Sequence, residues 1–436
     1  MIYIDSLPIP AIDLNSTFKY LGKIFNFNMD NEPIKSSLTL KISAILQTTA
    51  NLKTSLHNKL KILRSYLPSQ VGFELRTYDL SATWIATNLD SMIVNSVRTW
   101  LQLPVSSCVA EIISLPLSLG GLGIQSLQEL AQKQRLSVRH YFKAHPDQAF
   151  KEIWSKTQPH NIQSDYRLCS QELKAAKKKL IAEHIENNLE HLSQLQVQGP
   201  SISHLNLCLN KKEISRWSSA TAQLPDSTFK FVRKALQNQL PTASNLKRWG
   251  RSSSGNCSLC QGVQTNKHVF SNCSAVCALN RYTYRHNQVL GLLAEWLRSA
   301  IPDKNTQIIV DLDNSPANGA NIVFHSLRPD IIILSPGHKI TCLELTVCHE
   351  TNLESAHARK VDKYKNLADD LLVDFSRHTL AQFFIDISVL GFISNISDFL
   401  HRFKLNSIPT PVCKQLTLAA INCSQHIYWK RDSKDD

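Results

Sequence analysis

Two groups of residues have types and spacings that could do chemistry. The first is Cys257-x2-Cys260-x7-His268-x4-Cys273. These are four soft nitrogen and sulfur donors, the set that zinc prefers. The short first gap lets one tight turn present two thiolates, and the second pair lies on the element that follows. Four protein ligands fill a tetrahedral ion, so the site is expected to be structural, contributing on the order of 10 kcal/mol to so small a unit. Cys277 could replace Cys273 but is expected to be a spare buried thiol. The 11 cysteines are odd in number and otherwise scattered, which favours a reducing compartment and metal ligation over disulfides.

The second group is acidic and lies in Leu327–Val347, LRPDIIILSPGHKITCLELTV. Two β-branched runs, Ile331 to Leu334 and Ile340 to Val347, flank the turn-forming Ser335-Pro336-Gly337-His338-Lys339, which predicts a β-hairpin. Asp330 opens the first strand and Glu344 stands within the second, among apolar neighbours. A carboxylate in a buried strand costs several kcal/mol unless it is paired or metal-bound. The plain alternative is an edge strand with Glu344 facing water. Residues 355–372, SAHARKVDKYKNLADDLL, then predict an amphipathic helix with Ala356, Lys360, Lys363-Tyr364 and Leu367 along one face. Lysines on a core-facing stripe either snorkel or point at something anionic. Arg328-Pro329-Asp330, Glu344 and Lys360 or Lys363 together give two carboxylates plus an ammonium, as metal-assisted phosphodiester cleavage requires. The carboxylates hold Mg²⁺ or Mn²⁺ through oxygen, and the lysine steadies negative charge developing at phosphorus.

The elements that must position these groups follow from periodicity. Met1–Ile4 and Phe18-Lys19-Tyr20-Leu21-Gly22 through Phe27 predict strands that either form a small sheet alone or belong to a longer protein, the second being favoured. Apolar residues at helical spacing predict helices over 34–67, 78–103 and 126–142. Gly120-Gly121-Leu122-Gly123 lacks the strand and Lys-Ser/Thr of a nucleotide loop and is read as a turn. A further helical segment between 165 and 198 carries Lys174 and Lys177-Lys178-Lys179, a solvated face that could also touch phosphates. In 225–250, Lys230, Arg233, Lys234, Lys247 and Arg248 alternate with Phe229, Phe231 and Trp249. Such interleaving suits a nucleic-acid surface, although each ring singly is more often core. The helix after the cysteine cluster begins Tyr284-Arg285-His286-Asn287, which alone reads as helix capping. A strand over 383–390 and terminal helices complete an α/β unit. Leu367-Ala368-Asp369-Asp370 mimics a polymerase Asp-Asp pair but falls within a helix rather than a hairpin turn.

The net charge is +13 over 436 residues, which favours a polyanionic partner, most simply nucleic acid. No apolar run approaches the ~20 residues of a membrane span, and the first residues do not have the form of a signal peptide.

The ordered set of Cys-Cys-His-Cys knuckle, Arg-His-Asn, Arg-Pro-Asp, acidic strand and Lys-x-x-Lys-Tyr resembles the C-terminal half of site-specific non-LTR retrotransposon proteins. These carry a restriction-like endonuclease and include the elements that insert into ribosomal RNA genes. Phe18 to Gly22 looks like the end of a reverse transcriptase palm. Trp100 to Pro104 and Gly120 to Ile124 look like its thumb and linker, and Leu240-Pro241-Thr242, Asn245-Leu246 and Arg248-Trp249 like the stretch before the knuckle. The resemblance implies a multidomain protein with a helical thumb and linker bundle, a zinc knuckle and an α/β PD-(D/E)xK restriction-like endonuclease domain. Its parts would be a palm remnant over 1–33, the thumb-like bundle over 34–145, a basic helical linker over 146–250, the knuckle over 251–280 and the nuclease over 281–436. It implies metal ligation by Asp330 and Glu344, catalysis by Lys360 or Lys363, and support from Arg328 and Tyr364. DNA contacts would come from Arg285 and His286, with Lys247 and Arg248 as further nucleic-acid contacts. The implied partners are target DNA and element RNA, with a nuclear location and no membrane. In many such nucleases the lysine stands two residues after the second acid; here Thr346 does, so the role must have moved to the helix. The fingers and most of the palm, with its catalytic aspartates, have no counterpart, so no polymerase activity is expected from this chain alone.

Overall fold

Ser55 is a helix-capping residue in mid-sequence, and it divides the first predicted helix in two. Helices α1 (Glu32–Asn51) and α2 (Leu56–Thr77) flank it, its hydroxyl accepting from the Asn58 amide at 3.4 Å. Ile34, Leu38, Ile42 and Leu46 of α1, and Leu56, Leu60, Leu63, Leu67, Val71 and Leu75 of α2, form the buried stripes that the 3.6-residue period dictates. The computed structural model describes residues 2–4, 7–9, 16–157, 166–209, 211–301, 303, 305–312, 329–365 and 379–434. Arg328 and the Asp369-Asp370 pair lie outside them, as do residues 366–372 of the helix expected over 355–372. The chain divides into two compact units: Met1–Gln102 with Val109–Pro116 and Gly121–His191, and Leu103–Cys108 with Leu117–Gly120 and Leu192–Asp436.

In the first unit, strands β1 (Ile2–Ile4) and β2 (Leu7–Ile9) pair with each other, as do β3 (Thr17–Tyr20) and β4 (Lys23–Asn26). These strands form two small separate sheets; Leu21 and Gly22 turn the second hairpin at φ 46° and 82°. Helix α3 (Ser91–Leu101) ends at left-handed Gln102, and α4 (Leu127–Ala144) begins at Ser126. The Asp90 carboxylate accepts from the Leu127 and Gln128 amides (2.7 and 3.1 Å), an anion at a helix N-terminus. Along α5 (Tyr166–Gln194), Lys179 pairs with Glu183 at 3.7 Å and is 79% exposed, as expected of a solvated face.

The second unit includes α6 (Lys211–Thr221) and α7 (Asp226–Leu236). Phe229, Phe231 and Arg233 of α7 are buried, and the Arg233 guanidinium lies against the rings of Trp217 and Phe229. These rings are therefore core rather than a stacking surface, whereas Lys247 and Arg248 are exposed. The long helix α8 (Val276–Ala300) follows the cysteine cluster. A five-stranded sheet then runs in the order β5 (Gln307–Val310), β6 (Ile331–Ser335), β7 (Lys339–Cys348), β8 (Thr379–Ser388) and β9 (Ile393–Ser394). Strand β7 is central, antiparallel to β6 and parallel to β8. Helix α9 (Leu353–Tyr364) lies between β7 and β8 in sequence, and α10 (Thr410–Trp429) closes the unit.

Strand alternation sorts the two faces. Leu343 and Leu345 of β7, with Ile331, Ile333, Ile385 and Ile387, join Val289, Leu293 and Leu297 of α8 and Leu416 and Ala420 of α10 in the main core. Glu344 and Thr346 point to the other face, against α9. The β8–β9 turn is fixed by Gly391, at φ 82°, whose carbonyl accepts from the Thr417 hydroxyl at 2.9 Å. A Cβ there would meet the Thr417 carbonyl oxygen at 2.7 Å. Gly391→Ala is thus expected to cost roughly 3 kcal/mol, from combined strain and overlap, in denaturant unfolding. A change under about 1 kcal/mol would contradict this packing.

Candidate active site and metal centre

Glu344 is 3% exposed on the central strand, so the edge-strand alternative does not hold. Asp330, just before β6, is brought beside it by the hairpin register, which pairs Ile331 with Leu343. Asp330 accepts from the Leu345 amide (2.7 Å) and its own amide donates to Glu344 (3.2 Å). Helix α9 then delivers Lys360. Its ammonium donates to Glu344 Oε2 (2.8 Å), Asp330 Oδ2 (3.3 Å) and the Leu345 carbonyl (2.6 Å). Of the two lysines only Lys360 joins the carboxylates; Lys363 is exposed, with its ammonium 5.0 Å from the Tyr364 ring centre. Tyr364 is 3% exposed and hydrogen-bonds Glu344.

The residues expected at DNA by resemblance are placed differently. His286 lies in the acidic cluster, its Nε2 3.3 Å from Asp330 Oδ2 and 3.2 Å from the Leu345 carbonyl. Arg285 is 1% exposed, donating to the Phe270 carbonyl (2.9 Å), Ser424 Oγ (3.2 Å) and the Val347 carbonyl (3.4 Å). A guanidinium so enclosed is an interior tie, not a phosphate contact.

Electrostatics make the four charged groups unequal. Burial alone would raise Asp330, but the hydrogen bond and charge of His286, then Lys360 and the Leu345 amide, hold it down at about 2. Burial and the neighbouring Asp330 push Glu344 up, against Lys360 and Tyr364. Burial works to lower Lys360 and His286, yet Asp330, with Glu344 in the case of Lys360, raises both. Burial, then Glu344, pushes the Tyr364 phenol up.

The sign of the pH dependence follows. His286, being raised, stabilises the fold fully below its ordinary ~6.5, and that contribution is lost as pH rises through its folded value. Asp330, being lowered, contributes fully above ~3.9 and loses that contribution as pH falls toward its folded value. Glu344, being raised, shifts the optimum toward the acid side of the window between. In the metal-free protein this cluster is expected to be most stabilising between roughly pH 4 and 6.5. An NMR titration should place His286 above ~6.5, with Asp330→Asn bringing it below. An unchanged midpoint in that variant would contradict the pairing.

Asp386 on β8 was missed by sequence reasoning. It is 0% exposed and accepts from Asn395 Nδ2 at 2.7 Å, with His357 Nδ1 also at 2.7 Å, while its Oδ1 has no hydrogen-bond partner among the described residues. The register sets it opposite Thr346, on the Glu344 face. The signal was available, since an acid amid Phe383, Phe384, Ile385 and Ile387 is the same anomaly that singled out Glu344.

The cysteine cluster forms the metal centre. One donor atom from each of Cys257, Cys260, His268 and Cys273 lies within 4.8 Å of the other three. Cys257 and Cys260 stand 4.0 and 3.7 Å from Cys273 sulfur to sulfur, and Cys260 Sγ is 3.3 Å from His268 Nε2. These separations fit the edges of one tetrahedral zinc shell. Cys277 is half-buried and outside the group, so Cys273 is the fourth ligand. Fold and centre thus define a multidomain mixed helix and sheet protein with a Cys3His zinc-binding cluster. A family model described as zinc-binding in reverse transcriptase matches residues 206–279, so this stretch is similar to the zinc-binding part of reverse-transcriptase-related proteins. No curated protein matches the sequence. Among the described residues, no helix is long and apolar enough to cross a membrane.

Proposed function

We propose that this chain is the metal-dependent DNA endonuclease portion of a non-LTR retrotransposon protein, nicking target DNA to prime reverse transcription. The observation that carries it is the convergence of Asp330, Glu344 and the Leu345 carbonyl on one cationic centre, the Lys360 ammonium. Three oxygen donors of this kind suit a hard divalent cation. Asp330, Glu344 and the Leu345 carbonyl would hold Mg²⁺ or Mn²⁺, which supplies Lewis acidity and a more acidic bound water. Lys360, which would give up these three oxygens to the cation, would place its positive charge where the phosphorane becomes negative. His286 orients Asp330. Lys247 and Arg248 offer exposed cations for the nucleic-acid backbone. Target DNA and element RNA are the proposed partners, in the nucleus.

A second reading is a nucleic-acid-binding remnant without catalysis. It is favoured by Lys360 and His286 already pairing with the two carboxylates, which makes a self-sufficient ion cluster. Conversion of supercoiled plasmid to open circle in Mg²⁺ or Mn²⁺ separates the two. The nuclease reading expects nicking by wild type that Asp330→Ala abolishes. The remnant reading expects salt-sensitive binding in both and nicking in neither.

A further inference from the structure

The turn His268–Asn272 is closed at its ends by two zinc ligands, His268 and Cys273. Its middle faces the nuclease-like sheet. The Phe270 carbonyl accepts from Arg285, and the Ser271 hydroxyl accepts from the His349 amide just past β7, at 2.9 Å each. Arg285 also reaches the Val347 carbonyl within β7 and Ser424 on α10. One residue on, His286 holds Asp330 and the Leu345 carbonyl. Tyr282, one turn earlier on α8, donates to the His268 and Val269 carbonyls and accepts from the Cys273 amide. Three residues of α8 at i, i+3 and i+4, Tyr282, Arg285 and His286, thus grip the zinc turn, the end of β7 and the acidic cluster.

From this juxtaposition we propose that zinc occupancy sets the geometry of the Asp330–Glu344–Lys360 cluster, with Arg285 as the positioning residue that couples the two. A guanidinium that is 1% exposed and bonded to carbonyls and a hydroxyl depends on every acceptor it has. The apolar packing around the cysteine cluster is small, comprising Cys257, Cys273 and Ala278 with Leu259, Cys260, Ala275 and Tyr282. Without metal the four ligands lose their common centre, and the turn is left to Val269 and Phe270, buried at its middle, and to the Tyr282 hydroxyl, which do not fix its two ends. Phe270 and Ser271 then release Arg285 and His349, and the end of β7 loosens at the residues beside Asp330. The coupling passes through hydrogen bonds and does not depend on the cluster being catalytic.

Hydrogen exchange on the full chain, with zinc bound and after chelation, tests this directly. Zinc removal is expected to speed exchange at least about tenfold at residues 345–349 as well as 256–273, while the β5–β6 pairing and α7 stay protected. In Arg285→Lys, which retains the charge, the cysteine cluster should still bind one zinc, but residues 345–349 should exchange fast with or without it. Ser271→Ala, a gentler change, should weaken the response at His349 alone. Faster exchange confined to 256–282, or spread equally through α7 and β5–β6, would overturn the proposal. No cleavage is measured, so a chain that never cuts DNA still decides the matter.

Discussion

Lys360→Ala is expected to lower Mg²⁺-dependent nicking by about 10²–10³-fold, while Lys363→Ala changes it less than about threefold. The asymmetry comes from where α9 puts the two ammonium groups. Lys360 is 27% exposed and within 3.3 Å of both carboxylates, whereas Lys363 points to solvent over the Tyr364 ring. The same substitution leaves Glu344, 4% exposed, facing Asp330 with no ammonium between them. Removing one partner from a buried ion cluster costs about 3–5 kcal/mol, so a lowered melting temperature should accompany the lost activity. Metal affinity separates the two effects. If Lys360→Ala melts lower yet binds Mn²⁺ at least as tightly, the carboxylates are intact and the lysine acts in the chemistry. Equal losses in Lys360→Ala and Lys363→Ala would contradict the assignment.

Zinc removal is expected to have the largest effect on stability. A structural zinc contributes on the order of 10 kcal/mol to the folding of the small unit that its ligands close. Cys273→Ser should therefore abolish stoichiometric zinc and lower the melting temperature by more than about 10 °C, whereas Cys277→Ser should keep one zinc per chain and melt as wild type. Native mass spectrometry and thermal scans check both. Zinc loss in Cys277→Ser with retention in Cys273→Ser would reverse the ligand assignment.

How much of this was legible depended on whether the signal was local. The hairpin was legible because β-branched runs and a Pro-Gly turn specify it within one stretch, and the observed strands Ile331–Ser335 and Lys339–Cys348 match closely. The zinc ligands were legible because their spacing is the signal, and α9 because its lysines interrupt an apolar stripe. Long-range pairing was not. Strand β5 is four residues with no alternation, and its partner is known only from the fold. Nothing local distinguishes an interior Arg285 from a surface arginine; burial comes from α10 and the zinc turn closing over it. For the same reason Phe229 and Phe231 could be read as a stacking surface until α7 was seen to be enclosed. Asp386 was legible in principle, by the test already applied to Glu344.

Asp330, Glu344 and Lys360 are proposed as a hydrolytic metal site. The most direct measurement is nicking of a mixture of supercoiled plasmids with random inserts, in Mn²⁺ and Mg²⁺, by wild type and Asp330→Asn matched for zinc content and DNA binding. The site predicts open circles from wild type, none with chelator, and a loss of about 10²-fold or more in Asp330→Asn. Equal, negligible nicking by both proteins, with DNA binding intact, would contradict it and leave the ion cluster as a structural feature of a nucleic-acid-binding protein.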